Sequence, residues 1–327
     1  MKTINLTALI FLFSLTVFGA PTQLKPSYSV PKSQWPEALG NHRAVLEIPG
    51  GSEVIGLNLV WRRHDVKPDT KRLLIISDAG DTIPNIYRYT VNNERCTIAF
   101  GPVKRGGTCY LYYLPYEVQK EYGNYGKDYL KPENEPSREW VTKNSVGIVS
   151  KLNHFPNAKV TGIEARTSFD SFFPMEVIPL TTEKKDLLAK FNQEYLLFPE
   201  NRALPIRMKD EIPLRWVEKG PSGKFSGEAF KNEYYTLQIG LFASKKDLKN
   251  VKVEFSDLNG SSFKISSSSL TCFNTGGTGP YGQPFEKKVD VSKGAVQPLW
   301  IGIDLPEKIP AGIYKGLIKI VPAYRPP

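Results

Sequence analysis

Short apolar runs separated by turn residues recur along the first third of this chain. Six of them lie between residues 42 and 114, and Pro, Gly, Asn or Asp soon follows each one. Strands that recur about every ten to fifteen residues, with turn residues between them, are typical of antiparallel β-sandwiches. A parallel sheet would need helical crossovers, and no helical pattern of that length intervenes. The pattern therefore predicts a first β-sandwich over residues 35–115.

The last third of the chain shows similar strand-like runs and predicts a second β-sandwich over residues 196–325. Its final two runs, 297–306 and 311–320, flank a Pro/Gly turn and are predicted to form the closing hairpin. The last run has period 2 and keeps two lysines on one side. Its predicted faces are Ile313, Lys315, Leu317 and Lys319 on one side, and Tyr314, Gly316, Ile318 and Ile320 on the other. The other predicted strands are 206–208, 214–217, 234–242, 251–255, 263–265 and 287–291.

The residues between these two regions follow neither pattern. Residues 116–195 contain an aromatic-rich irregular segment, a strand-like run near 160–166 and a helix-like run near 183–195. Thr181 or Thr182 is the predicted N-cap of that helix. The predicted fold class is therefore mainly all-β: two antiparallel β-sandwich domains in tandem, joined by an irregular and helical connector.

The N-terminus predicts export. Lys2 precedes an apolar run over residues 6–18, and Gly19 and Ala20 supply small residues at a cleavage point. This is the pattern of a signal peptide, here residues 1–20, and no cysteine near the cleavage point indicates a lipid anchor. No later apolar run reaches the length of a membrane-spanning helix. We expect a secreted or periplasmic protein that is not a lipoprotein and has no transmembrane anchor.

The charge pattern does not favour nucleic acid as a partner. The formal net charge is +10, but basic and acidic residues are interspersed. The densest basic pair, Lys184 and Lys185, lies between Glu183 and Asp186. Nucleic-acid-binding domains instead concentrate Lys and Arg in one patch or stripe. The net positive charge is still compatible with attraction to an acidic glycan or an anionic surface, and this alternative is kept.

The chain contains three cysteines, Cys96, Cys109 and Cys272, and an odd number leaves at least one thiol free. If a hairpin through residues 101–107 joins the flanking strands, Cys96 lies opposite Tyr112, too far from Cys109 for a disulfide. We predict buried single cysteines that pack as small apolar residues.

No residue pattern for catalysis, metal binding or cofactor binding stands out. The three histidines, His42, His64 and His154, have no partners at metal-ligand spacing. Adjacent strand residues point to opposite faces, which disfavours His64 and Asp65 as a catalytic dyad. The chain has no Gly-x-Ser-x-Gly elbow and no phosphate-binding loop. We predict no catalytic residue, no metal site and no cofactor in this chain.

Aromatic residues in irregular segments are the best candidates for a binding role. Sugar rings present apolar C–H faces that can stack on aromatic side chains. The alternative is that the same side chains pack at a domain interface, where aromatics are common. Trp61, Trp216 and Trp300 lie in strand patterns and are predicted core residues. The candidate carbohydrate-binding residues are Tyr122, Tyr125, Tyr129, Trp140, Tyr281 and Phe285.

Several motifs resemble known proteins. Those of the second predicted sandwich resemble the N-terminal β-sandwich region of bacterial glycoside hydrolases of family 123, and upstream motifs resemble the preceding region of long, exported Bacteroidetes-type members. The resemblance covers most of the chain after the signal peptide. The motifs of the second sandwich are residues 225–241, 255–258, 296–306 and 312–316; the upstream motifs are residues 61–65, 111–116 and 172–177.

The resemblance implies a family that hydrolyses N-acetylhexosaminide linkages with help from the substrate's acetamide group, using an adjacent Asp-Glu pair on a C-terminal (β/α)₈ barrel. Asp210 and Glu211 are the only adjacent Asp-Glu pair here, and they lie between predicted strands of the sandwich. We do not transfer the catalytic role to them. A barrel needs about 250 residues, which do not remain after the second sandwich.

The sequence therefore predicts a non-catalytic N-terminal region, either a fragment or a truncated product, that supports or docks a (β/α)₈ catalytic domain absent from this chain. Its parent family is of the N-acetylhexosaminidase type, and no activity is expected from this chain alone. Two alternatives remain. One is a stand-alone carbohydrate-binding protein that uses exposed aromatic loops. The other is an assembly module that docks on a separately encoded catalytic chain. The expected partners are a glycan or a catalytic barrel domain.

Overall fold

The computed structural model describes residues 27–118 and 126–323. Most of the regular structure in these residues is β-strand, so the prediction of a mainly all-β chain is confirmed. The predicted signal peptide and the candidates Tyr122 and Tyr125 lie outside the described residues. Among the helices that are described, none is long and apolar enough to cross a bilayer.

Ten strands form the first β-region, residues 27–165. They are β1 (Ser27–Ser29), β2 (His42–Ile48), β3 (Ile55–Val60), β4 (Leu73–Ser77), β5 (Asn85–Val91), β6 (Arg95–Gly101), β7 (Gly107–Tyr113), β8 (Tyr116–Val118), β9 (Lys127–Tyr129) and β10 (Lys159–Ala165). One sheet has the order β1-β10-β2-β7-β4 and a second has the order β3-β6-β5, while β8 and β9 pair with each other. The predicted strand near 160–166 is thus β10, which pairs with β2 in the first sheet.

The two larger sheets of the first β-region share one core. Along β2 the buried Ala44, Leu46 and Ile48 alternate with more exposed residues, as expected for a strand with one solvated face. They join buried side chains of the other sheet, including Ile55 and Phe100, in a single cluster. Burial of this apolar surface holds the sheets together. The division of the whole chain into two tandem sandwiches at the predicted boundaries stays a prediction.

The loop at residues 101–107 does not form the predicted hairpin. β6 pairs with β3 and β5, whereas β7 pairs with β2 and β4, so the loop crosses between sheets. All three cysteines are nonetheless free and buried, which confirms their predicted packing role. Burial raises the pKa of the Cys96 thiol to about 12 and that of Cys109 to about 11, so neither is poised as a nucleophile.

In the described residues, three α-helices accompany the strands: α1 (Arg138–Asn144), α2 (Thr181–Lys190) and α3 (Leu214–Lys219). The predicted connector helix is α2, which starts after an N-cap at Leu180 and ends before residue 195. The Glu183 carboxylate accepts a hydrogen bond from the Leu180 N–H at 2.8 Å and so satisfies a donor at the helix start. The predicted strand at 214–217 is wrong, because these residues open α3. Pro213 before this run and Gly220 after it are helix boundary signals, and a short apolar run alone does not distinguish helix from strand.

Ten more strands form the second β-region, residues 196–323. They are β11 (Leu196–Asn201), β12 (Tyr234–Phe242), β13 (Lys249–Phe255), β14 (Leu258–Asn259), β15 (Lys264–Ile265), β16 (Leu270–Cys272), β17 (Gly276–Thr278), β18 (Pro284–Glu286), β19 (Val296–Asp304) and β20 (Ile318–Ala323). A four-stranded sheet has the order β11-β12-β19-β16, and the remaining strands form the pairs β13-β20, β14-β15 and β17-β18. One face of the four-stranded sheet shares a core with β13 and β20.

The predicted closing hairpin is wrong. Its two runs contribute β19 and β20, but β19 pairs with β12 and β16, whereas β20 pairs with β13. The inward side chains of β20, such as Ile320, pack against the four-stranded sheet, which places the two strands in opposing layers. The predicted faces of the last run hold: Ile313, Lys315, Leu317 and Lys319 are exposed, while Ile320 is buried.

The connector bonds to both β-regions. The Arg62 guanidinium donates to both oxygens of the Glu183 carboxylate, at 2.7 and 2.8 Å. The Ile178 N–H donates to the Arg62 carbonyl at 3.2 Å. On the other side, Leu187 of α2 belongs to one buried cluster with Trp216 of α3 and Phe198 of β11, whose rings stack with centroids 4.5 Å apart. α2 and α3 therefore link the end of β3 to the four-stranded sheet.

Candidate functional site

The four-stranded sheet of the second β-region has one face in the core and one face that is only half covered. Trp216 of α3, together with Met175 and Leu187 of the connector, covers the half formed by β11 and the C-terminal part of β12. Gly240 permits this contact, because a Cβ atom there would collide with the Trp216 ring. The buried Glu200 carboxylate accepts hydrogen bonds from Arg215 and from the Trp216 indole, at 2.9 and 3.1 Å. This half of the sheet face is therefore buried by protein and closed to solvent.

The other half of the same face presents aromatic side chains to solvent. Tyr234 of β12 is 47% exposed and Phe273, just after β16, is 48% exposed. Their ring centroids lie 6.1 Å apart with an angle of 43° between the planes. The Tyr234 ring lies against Gly302 of β19, where a Cβ atom would collide with it. The strand register places half-buried Trp300 on this side, two residues from Gly302. We call Tyr234, Thr236, Thr271, Phe273, Trp300 and Gly302 the aromatic face.

The aromatic face also carries free hydrogen-bonding groups. Among the described residues, none forms a hydrogen bond with the Tyr234 hydroxyl, the Trp300 indole N–H or the Thr236 hydroxyl. A partly exposed indole N–H is a donor that a ligand can use, and the hydroxyls can donate or accept. The face thus combines ring surfaces with polar groups at their edges.

Two predicted site residues, Tyr281 and Phe285, lie on the β17-β18 hairpin that follows Phe273. Tyr281 is 92% exposed and Phe285 is also exposed. Phe285 lies beside Gly277 across the hairpin. These two aromatics, chosen from the sequence, are thus exposed in the structure. Their carbohydrate-binding role stays a prediction.

The other two described candidates, Tyr129 and Trp140, lie in the first β-region and are not brought together with Tyr281 and Phe285. Tyr129 contacts Tyr116 edge-on, and the Lys71 ammonium lies 3.8 Å from its ring centroid. Trp140 is only 6% exposed, packs with Val54 and Ala99, and donates its indole N–H to the Glu53 carbonyl at 2.8 Å. Because the Trp140 ring is enclosed, it offers no surface for a sugar in this structure.

Trp300 is the residue that the sequence interpretation misplaced. Trp61 and Trp216 are buried as predicted, whereas Trp300 is only half-buried on the aromatic face. Strand periodicity shows which side chains share a face but not whether that face is covered. The exposed Tyr234, at the start of the run 234–242, was missed for the same reason.

A buried polar cluster in the first β-region joins it to the connector. His42 Nε2 lies 2.7 Å from the Asp170 carbonyl and Nδ1 lies 3.0 Å from an Arg63 nitrogen. Since Arg63 can only donate, Nδ1 accepts and Nε2–H donates, which is the neutral imidazole. Burial lowers the pKa of His42 to about 4, with a further contribution from Arg63. Arg63 also pairs with Asp65 and lies over the Tyr113 ring, 4.5 Å from its centroid.

The acidic pair Asp210-Glu211 is not arranged as a pair. The Asp210 carboxylate is 2.8 Å from His64 Nε2, while the Glu211 carboxylate accepts from the Lys184 ammonium at 2.6 Å. Each carboxylate thus has its own partner, and the absence of a catalytic role for the pair stays a prediction. Within residues 27–118 and 126–323, no group of three or more His, Cys, Asp or Glu side chains could hold a metal ion.

Comparison with known proteins points to one family. Residues 33–166 match the family model described as glycoside hydrolase 123, N-terminal domain. The match begins ahead of β2 and ends just after β10, so it corresponds to the first β-region. It covers less than half of the chain. The resemblance noted for residues 225–316 lies outside the matched range and stays a prediction.

A solved structure of a family 123 glycoside hydrolase from Clostridium perfringens, described in connection with glycolipid glycan hydrolysis, is also similar to this chain. The identity is 22%, the alignment covers 29% of this chain and 19% of that chain, and the TM-score is 0.23. This chain therefore aligns with about a fifth of the length of that enzyme. No curated protein matches the chain.

Proposed function

We propose that this chain is the non-catalytic N-terminal region of an exported protein related to glycoside hydrolase family 123, and that it supports or docks a (β/α)₈ catalytic domain. The observation that carries the proposal is the match of residues 33–166 to the N-terminal domain of that family. The predicted signal peptide supports export to the periplasm or the medium.

The way in which the connector is bonded supports a scaffold role. The doubly hydrogen-bonded Arg62–Glu183 pair and the packing of Trp216 tie α2 and α3 to both β-regions. A support for a second domain needs a defined shape, and charge-assisted pairs of this geometry provide it.

The last run of the chain offers a surface for the proposed catalytic domain. Ile313 is 78% exposed, and Leu317 and Val321 are also exposed, so three aliphatic side chains lie outward along one stretch. Exposed Lys315 and Lys319 lie between them on the same face, so the surface combines apolar and basic side chains, and exposed apolar side chains rimmed by polar ones typically mark protein contacts. Their aliphatic character fits the apolar core of a domain interface.

Two experiments test the support role. The purified chain is assayed on 4-nitrophenyl N-acetylhexosaminides, and we expect no turnover; turnover that Asp210→Asn or Glu211→Gln abolishes would contradict the proposal. The gene is also sequenced past the codon for Pro327. We expect barrel-coding sequence, either in frame or in the adjoining gene, and its absence from both would remove the docking role.

The second candidate function is carbohydrate binding by the exposed aromatic loop that carries Tyr281 and Phe285. The observation that favours it is the 92% exposure of Tyr281 on a protruding hairpin. A glycan array probed with the whole chain and with its Tyr281→Ala variant tests this role. Signals lost in the variant support it, and identical signals from both proteins exclude this loop as the binding site.

A further inference from the structure

We propose that the aromatic face of the second β-region binds a neutral oligosaccharide, with a sugar ring stacked on Tyr234 and Phe273. This proposal does not depend on support of a catalytic domain. It also names a different site from the Tyr281 loop, on the sheet itself instead of the hairpin.

The first argument is the placement of the rings. Positions on the solvent side of an antiparallel sheet are usually polar, yet here Tyr234, Trp300 and Phe273 come from three adjacent parts of the sheet. The neighbouring half of the same face shows what such positions look like when protein covers them, since Trp216 and Phe198 stack there with parallel planes. The open half has the aromatic composition that is typical of a contact surface. No part of the described chain covers it.

The second argument is that the sheet holds one ring in place. The edge of the Tyr234 ring formed by Cε1, Cζ and the hydroxyl lies against Gly302, and the residue is 47% exposed. A ring supported in this way loses little conformational freedom when a ligand stacks on it. The glycine at position 302 is needed for this placement, because any larger residue would displace the ring.

The third argument concerns the polar groups and the charge. The Tyr234 hydroxyl, the Thr236 hydroxyl and the Trp300 indole N–H have no partner among the described residues, and sugar hydroxyls can pair with all three. The exposed Asp304 lies directly opposite Tyr234 in the strand register. A carboxylate at this edge repels acidic sugars, so the site favours a neutral glycan.

The fourth argument distinguishes a sugar from a protein as the occupant. A stable protein interface buries roughly 800 Å² per partner around an apolar core, but the connector already covers half of this sheet face. The aliphatic row at Ile313, Leu317 and Val321 is better suited to a protein partner. The 43° angle between the Tyr234 and Phe273 rings also suits a single glycan chain, whose rings can turn, more than a flat crystalline surface.

The test is isothermal titration calorimetry of the whole chain with chitohexaose and cellohexaose as neutral probes and a hyaluronan hexasaccharide as the acidic probe. We expect binding of at least one neutral probe and weaker binding of hyaluronan. Tyr234→Ala and Phe273→Ala should each weaken binding about tenfold or more, which corresponds to about 1.4 kcal/mol. Phe230→Ala, which removes an exposed aromatic outside the face and outside the Tyr281 hairpin, should leave binding unchanged.

Folding of each variant is checked by circular dichroism. Gly302→Ala serves as a second probe of the face, since it keeps all the aromatics but displaces the Tyr234 ring, and it should also weaken binding. Absence of binding to both neutral probes would overturn the proposal. So would binding that Tyr281→Ala removes while Tyr234→Ala and Phe273→Ala retain it. If the chain binds no saccharide, but Tyr234→Ala weakens its binding to a catalytic domain, the aromatic face would instead be assigned to a protein partner.

Discussion

The two β-regions differ in what they do with their aromatic residues. The first encloses Trp61, Tyr113 and Trp140 in its interior and satisfies the indole N–H groups with backbone carbonyls. The second leaves many aromatics at its surface, among them Tyr234, Phe273, Tyr281 and Phe285. A region that buries its large side chains is suited to support, whereas a region that exposes them is suited to contact with other molecules. The family match falls on the first β-region, where Tyr28 and the candidate Tyr129 are also exposed, whereas the aromatic face and the Tyr281 hairpin lie in the second.

The largest expected effect tests the enclosed character of the first β-region. Trp140→Ala removes a buried indole and a hydrogen bond to the Glu53 carbonyl. We expect the free energy of unfolding to fall by about 3–5 kcal/mol. Urea unfolding followed by circular dichroism measures it, and Tyr281→Ala is the matched control for an exposed aromatic. A loss below about 1 kcal/mol for Trp140→Ala would mean that its environment is far looser than the structure shows.

The second prediction concerns the pH dependence of the first β-region. The pKa of His42 is lowered from 6.5 to about 4 in the folded protein, mainly by burial. Between these values the unfolded chain takes up a proton that the folded chain does not, so stability falls as the pH falls. The contribution is about 3 kcal/mol, present above pH 6.5 and lost towards pH 4. Asp65, whose pKa stays below its usual range because Arg63 outweighs the effect of burial, acts in the same direction.

The variant His42→Gln distinguishes the contribution of His42 to the pH dependence from that of Asp65. Unfolding free energies are measured at pH 7 and pH 4.5 for both proteins. The variant should be less stable at pH 7 but should lose less stability between the two pH values. An equal loss in both proteins would show that His42 titrates normally in the folded state.

Many strand positions could be predicted from the sequence, although residues 206–208, 214–217 and 287–291 form no strand, and the strands' partners could not be predicted. The run at His42–Ile48 matches β2 in both bounds, and the period-2 faces of the last run are correct. The closing hairpin failed because alternation assigns side chains to faces and contains no information on which strand lies alongside. β19 and β20 are near in sequence, yet β20 pairs with β13, and this two-stranded sheet packs on the opposite side of the core from β19.

The candidate site was harder to predict, for reasons of tertiary structure. Trp140 lies in a segment rich in Pro and charge, where α1 is too short to show a helical period, and only the fold shows that it is buried. Trp300 and Gln238 face each other in the same sheet, but Gln238 is buried and Trp300 is half-buried. The difference comes from the end of β11 and the segment after it, where the backbone of Asn201, Leu204 and Ile206 bonds to the Gln238 side chain, and a strand pattern does not show that cover.

The third prediction compares two glycines of that sheet, one under each half of the face. Gly240→Ala places a methyl group against the buried Trp216 ring, and we expect a loss of about 1–3 kcal/mol in unfolding free energy. Gly302→Ala places the same group against Tyr234, which is exposed and can move away. Its loss should be below about 1 kcal/mol. Thermal and urea unfolding of both variants give the comparison, and equal losses would contradict a division into a closed and an open half.

The smallest expected effect concerns the joint between the two β-regions. Arg62 and Glu183 form two hydrogen bonds and are partly buried, whereas the Lys159–Glu47 pair is exposed on both sides. A double-mutant cycle with Arg62→Ala and Glu183→Ala should give a coupling energy of about 1 kcal/mol, against about 0–0.5 kcal/mol for Lys159→Ala with Glu47→Ala. Two parallel bonds to one carboxylate fix the pair in a single geometry, so it loses less to side-chain entropy than the exposed pair. Coupling no larger than that of the exposed pair would show that the joint depends on its other contacts, which include the Ile178–Arg62 backbone bond, the His64–Asp210 contact and the packing of Trp216.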